Sequence, residues 1–149
     1  MKRINEYRKL FNAEADTDLK QLKTTYRNLV KEWHPDKFQQ DDEKAAEAKQ
    51  KSLQIIDAYH FLVSIAPETK EANLAEYTTT TTESGIVDFK LKGLVLEVTF
   101  LDGTTYEYFG VTKHVYQGLI NSDKPYRFGK RNIFNSFLYR KSKRNLETA

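Results

Sequence analysis

The sequence predicts two small domains of different class, an all-helical one followed by an α+β one, and three observations carry the division. Up to about Tyr77 the apolar residues recur every three or four positions, as on a helix, whereas after Ser84 they alternate every two, as on a strand. Between the two patterns stand five consecutive threonines, 78–82, a polar low-complexity run that reads as a linker. Charge changes at the same place. Residues 1–77 hold 13 basic and 14 acidic side chains, net −1, and residues 78–149 hold 11 and 7, net +4. The expected domains are therefore 1–77 and 84–149, with 78–83 between them.

In the first domain, the pattern over 17–33 sets Leu19, Leu22, Tyr26, Leu29, Val30 and Trp33 on one apolar stripe about 100° wide, the core face of a helix. Lys20, Lys23, Arg27 and Lys31 form a second stripe, all basic, on the adjoining face. Asp16, Thr17 and Asp18 offer N-cap chemistry at its start. Its end is set by Pro35, which pushes the preceding residue out of the α region, so the helix stops at about Trp33 and His34-Pro35-Asp36 becomes a rigid, exposed loop. Such a loop, presenting an imidazole and a carboxylate beside a basic stripe, suits docking on a charged partner. A second pattern, 41–65, places Ala45, Ala48, Ser52, Ile55, Ile56, Tyr59, Leu62 and Val63 on one face and packs antiparallel on the first. Trp33 and Tyr59 lie on these apolar stripes and read as core residues. A shorter helical pattern, 67–77, starts at Pro67, where the missing N–H costs nothing.

The second domain begins with Val87, Phe89 and Leu91 alternating with polar residues, then Leu94, Leu96, Val98 and Phe100, then a turn at Asp102-Gly103 and a strand over 104–109. This is an antiparallel meander. A two-residue loop at Asp102-Gly103 puts Tyr106 and Tyr108 on the face opposite Leu96 and Val98, where they are exposed. A three-residue loop over 101–103 pairs Val98 with Tyr106 and makes both tyrosines core. Thr112 caps a covering helix whose Val115, Tyr116, Leu119 and Ile120 face one side. From 125 to 139 no single period stands out. Within 124–144, however, Lys124, Arg127, Lys130, Arg131, Arg140, Lys141, Lys143 and Arg144 are interleaved with Tyr126, Phe128, Phe134, Phe137 and Tyr139, with no acid among them. Bases for phosphates and rings for stacking suit single-stranded nucleic acid; a small aromatic core with a basic, soluble tail is the plainer reading.

Several function classes fall away. With 30% charged residues the chain has no stretch near the ~20 apolar residues of a membrane span, and no N-terminal apolar run reads as a signal peptide. It has no cysteine, and its three histidines, His34, His60 and His114, are not at metal-ligand spacing, so neither disulfides nor a metal site is expected. There is no glycine-rich phosphate loop, nucleophile elbow or zinc-protease helix, hence no enzyme and no cofactor is expected, and the cytoplasm is the default location.

Residues 4–76 resemble a J-domain, the module of the DnaJ co-chaperones. Tyr7, Leu10 and Phe11 match its first helix; Leu22, Lys23, Tyr26, Arg27, Leu29 and Val30 match the second; Ile55, Ala58, Tyr59 and Leu62 match the core face of the third. The resemblance implies docking on a DnaK-type heat-shock chaperone and stimulation of its ATP hydrolysis. It places the contacts on Lys23, Arg27, His34, Pro35 and Asp36, with Lys20 and Lys31 in support. Asn28 and Glu32 stand where that family usually has a base, and Ser52 where it usually has Phe, which lowers the expected affinity. From Ser84 to about Lys143 the chain resembles the KTSC domain, found at the end of some lysyl-tRNA synthetases and alone in bacterial proteins, through Tyr106-Glu107-Tyr108, Phe109-Gly110-Val111, Val115-Tyr116 and the spacing of Phe128, Ile133, Phe137 and Tyr139.

The function expected from these readings is a co-chaperone whose second domain selects a client, ligand or location. The alternative is an RNA- or ribosome-associated binding protein with a degenerate J-domain, using Tyr106, Tyr108, Lys124, Arg127, Lys130, Arg131 and Arg140.

Overall fold

A computed structural model describes residues 2–142. They divide into two compact units, 2–71 and from Ala72 onward, and each is described by itself. No helix among the described residues is long and apolar enough to cross a membrane.

The first unit holds α1 (Lys2–Phe11), α2 (Leu19–Trp33), a 3-10 turn (Pro35–Phe38) and α3 (Asp42–Ser64); α4 (Pro67–Glu83) starts within it. Of the three candidate caps for α2, Asp18 serves: its carboxylate accepts the Gln21 N–H at 2.8 Å while the Gln21 side chain accepts the Asp18 N–H at 3.2 Å, a reciprocal capping box. Asp41 caps α3 with its own carboxylate alone, accepting the N–H groups of Glu43 and Lys44 at 3.1 and 3.2 Å. Each such cap is worth about 1 kcal/mol. The core gathers Ile4 and Phe11 of α1, Leu22 of α2, and Ala48, Ile55, Ala58, Phe61 and Leu62 of α3. Tyr59 is only partly buried and stacks on Tyr26 with ring centroids 4.2 Å apart. One position is corrected: Ile56, expected in the core, is 37% exposed, and Phe61 takes its share of the apolar face.

The second unit is a four-stranded antiparallel sheet in the order β1 (Ile86–Lys92), β2 (Val95–Phe100), β3 (Thr105–Phe109), β4 (Leu138–Lys141), with α5 (Lys113–Asn121) and α6 (Pro125–Asn132) between the last two strands. Thr112 caps α5, accepting the Val115 N–H at 3.4 Å. The β2–β3 hairpin uses the three-residue loop. Phe100 and Thr104 close it, Gly103 sits at φ +91°, and Val98 pairs with Tyr106 and Leu96 with Tyr108. Both tyrosines are therefore core, 2% and 0% exposed. At the start of β1 the register shifts between Ile86 and Asp88, which turns Val87 out of the expected apolar face to 59% exposure. Residues 125–141, without a clear pattern in the sequence, form α6 and the short fourth strand.

The expected linker is not one. Threonines 78–82 are the continuation of α4, and Tyr77, Thr80 and Thr81 are buried at positions i, i+3 and i+4 of one helical face. Threonine is a poor helix former, but its hydroxyl can satisfy the carbonyl one turn back, as Thr81 does to Tyr77 at 2.9 Å and Thr82 to Thr78 at 2.6 Å. Packing then overrides propensity. Thr80 donates to Asp102 at 2.6 Å, and Tyr126 donates to the Thr81 carbonyl at 2.6 Å, so this stretch belongs to the core of the second unit.

At the centre of that core Tyr77 donates to the Phe134 carbonyl at 2.6 Å. Its single proton is thereby used, so the 2.9 Å contact with Tyr108 has the Tyr108 hydroxyl as donor. The Tyr77 ring stacks on Tyr139 with centroids 3.7 Å apart and meets Tyr106 edge-on at 4.9 Å. Burial pushes the phenols of Tyr77, Tyr106 and Tyr108 well above the ordinary tyrosine range, and their mutual proximity adds to the effect. A phenol raised in the folded state contributes stability that is complete below the unfolded value near 10 and is lost as pH rises past it. Absorbance titration of the nine tyrosines is accordingly expected to show a group that ionises only as this unit unfolds in alkali; a single transition near the ordinary value with the fold intact would contradict the buried cluster.

Candidate functional site

The end of α2 and the turn that follows it place the His34-Pro35-Asp36 loop. Trp33 is the last residue of the helix, His34 caps it in extended geometry (φ −62°, ψ 129°), and the chain enters the 3-10 turn at Pro35. The His34 backbone carbonyl accepts the Lys37 N–H at 3.0 Å, and its ring Nδ1 accepts the Asp36 N–H at 3.2 Å. That second bond requires an unprotonated Nδ1, which leaves the proton of the neutral ring on Nε2. Nδ1 also lies 3.4 Å from the Asp36 carboxylate, a contact that becomes an ion pair only when the ring is protonated; the N–H bond describes the neutral state. The side chains are 50% and 75% exposed, so a fixed backbone presents an imidazole and a carboxylate to solvent.

Lys20, Lys23, Arg27 and Lys31 are all exposed on α2, and none forms an ion pair with another described residue. Lys31 lies in the last turn, where a positive charge complements the helix dipole. Asn28 and Glu32 are exposed as well. The structure thus brings together on one helix and its C-terminal loop all seven residues singled out in the first unit. Two neighbours on α3 escaped the sequence reading: Ser52 donates to the Trp33 carbonyl at 3.0 Å, and the Lys51 ammonium lies 5.6 Å from the centroid of the Trp33 ring. Only the position of Ser52 on the apolar stripe hinted at such a contact.

The candidates of the second unit are not assembled in this way. Tyr106 and Tyr108, expected to stack on bases if exposed, are buried, because the three-residue hairpin loop turns them inward. Arg140 is committed to Glu107 at 3.2 Å and its guanidinium lies 5.8 Å from the centre of the Phe109 ring. Lys124, Arg127, Lys130 and Arg131 are exposed at and along α6, but the aromatic residues interleaved with them serve the core: Phe134 is buried, Phe128 and Phe137 pack against it, and Tyr139 stacks on Tyr77. The combination of free rings and bases that motivated the RNA reading is absent among the described residues. Lys143 and Arg144 lie outside them.

The His34-Pro35-Asp36 loop thus stands at the tip of two antiparallel helices, α2 and α3, with a basic stripe on α2 leading to it. Residues 6–71 match the family model of the DnaJ domain, and residues 85–137 match that of the KTSC domain. The chain carries these two domains in that order. Over 59 residues it is 49% identical to the co-chaperone protein HscB homolog of Colwellia psychrerythraea, covering 38% of this chain and 34% of that protein. Over 46 residues it is 50% identical to the co-chaperone protein HscB homolog of Psychromonas ingrahamii, covering 30% of this chain and 27% of that one. The chain thus spans about a third or less of the curated relatives it matches. No solved structure matches it.

Proposed function

We propose that this chain is a J-domain co-chaperone. Its basic stripe and His34-Pro35-Asp36 loop dock on a DnaK-type chaperone in the cytoplasm and stimulate that partner's ATP hydrolysis, while the KTSC unit selects a client or location. The observation that carries the reading is the loop itself, held by its own hydrogen bonds with both functional side chains facing solvent. The match of 6–71 to the DnaJ domain model and the chain's similarity to two HscB homologs support it. On this reading the chain is not itself an enzyme: the catalytic groups are the partner's. Single-turnover ATP hydrolysis by a DnaK-type chaperone, with and without the purified chain, tests the proposal; a rate that does not rise refutes it.

The basic stripe acts through long-range charge, which sets a second expectation. Arg27→Ala weakens the apparent affinity, and so does added salt, because exposed charges are screened beyond ~8 Å at physiological ionic strength. Half-maximal stimulation measured across a salt series checks this. An affinity that neither change moves makes the stripe a solvated face.

A further inference from the structure

We propose that Ser52 and Lys51 are positioning residues that aim the His34-Pro35-Asp36 loop, an inference that rests on the docking reading above. The last carbonyls of a helix lack intrahelical donors, and glycine-type caps satisfy them with backbone N–H groups of the residues that follow. Here the residue after the His34 cap is Pro35, which has no N–H to give. The Trp33 carbonyl instead takes the Ser52 hydroxyl of α3 at 3.0 Å. On the same residue the Lys51 ammonium sits 5.6 Å from the centre of the Trp33 ring, within reach of its π face. Adjacent residues of one helix therefore hold the backbone and the ring of the residue immediately before His34.

The far side of the loop is tied to the same point. Phe38 ends the 3-10 turn, and its ring lies 6.4 Å, centroid to centroid, from that of Trp33. Trp33 is thus the common anchor of both ends of the segment carrying His34 and Asp36. α3 is fixed independently of the loop, because Ala48 and Ile55, one turn to either side of Ser52, are buried in the core. Loss of the Ser52 bond leaves α2 folded and its basic stripe in place, but frees the direction in which the loop leaves the helix. Docking and stimulation should then separate: the stripe still finds the partner, and the loop engages it less often.

The test uses the full chain with Ser52→Ala, Ser52→Thr and, as an independent variant, Lys51→Met. In nitrogen-15 spectra without any chaperone, Ser52→Ala shifts the Asp36 amide and the His34 Nδ1 resonance, Ser52→Thr restores them, and the Lys20 and Lys23 amides stay in place. In the ATPase assay Ser52→Ala lowers maximal stimulation roughly two- to ten-fold, the effect of one lost hydrogen bond, with half-maximal concentration within about twofold. Lys51→Met changes both readouts in the same direction. Unmoved Asp36 and His34 resonances, or maximal stimulation at the wild-type level in both Ser52→Ala and Lys51→Met, overturn the proposal. If the wild-type chain stimulates no ATPase, the docking reading has failed, and the spectra alone decide whether the loop is positioned this way.

Discussion

His34→Gln or Asp36→Asn is expected to abolish stimulation of the partner's ATPase while leaving the helical unit folded. Both side chains are at least half exposed; His34 gives up one exposed cap hydrogen bond, worth about 1 kcal/mol, and neither loss approaches the roughly 5–15 kcal/mol that holds a domain folded. Glutamine keeps the polarity of His34 but not the ring nitrogen that takes the Asp36 N–H; asparagine keeps the shape of Asp36 but not its charge. Circular dichroism checks that α2 and α3 persist, and the single-turnover assay reads the loss. Stimulation by either variant equal to that of the wild type would sink the co-chaperone reading.

The second large effect falls in the other unit. Tyr77→Ala removes a buried aromatic ring that stacks on Tyr139, and it leaves the Phe134 carbonyl without its donor. Truncations of this kind cost about 3–5 kcal/mol, against a total of roughly 5–15 kcal/mol for a domain. Tyr77→Phe keeps the ring and loses only the hydroxyl, which leaves two partners unsatisfied, the Phe134 carbonyl and the Tyr108 hydroxyl, at about 1–3 kcal/mol each. The same argument ranks two fragments: 72–149 retains Tyr77, Thr80 and Thr81, whereas 84–149 lacks all three. Urea titration of the pair is expected to show cooperative unfolding only for the longer one, and equal midpoints would mean that the end of α4 is dispensable.

Much of the helical unit was legible because its signals are local. The N-cap chemistry at 16–18, the stop imposed by Pro35 and the spacing of Leu22, Ile55 and Leu62 all act within a few residues of themselves. Three-four spacing put Ile56 on the apolar face of α3 and left Phe61 off it, and only packing reversed the two. The threonines 78–82 misled for a different reason. Intrinsic propensity counts against a helix there, and what reverses it is a set of partners, Asp102 and Tyr126 for the threonines and Phe134 for the preceding Tyr77, that lie 20 to 60 residues away in sequence. The status of Tyr106 and Tyr108 hung on a single residue of loop length, to which period-two alternation is blind. The bulge that exposes Val87 and the four-residue strand β4 exist only as pairings with their neighbours, so nothing in their own segments announces them.

Two glycines of the covering helices reverse a habit of protein engineering. Gly118 in α5 and Gly129 in α6 look like natural targets for alanine, a swap that commonly firms up a helix by about 1 kcal/mol. Yet a methyl group at Gly118 would meet the Phe128 ring at 2.6 Å, and one at Gly129 would meet the Phe134 ring at 2.6 Å. Each missing side chain is the socket for a phenylalanine further along the chain, ten residues on from Gly118 and five from Gly129. A thermostabilised version of this protein therefore has to be sought on its outward surfaces, since improving these helices as helices would push apart the rings they exist to cover.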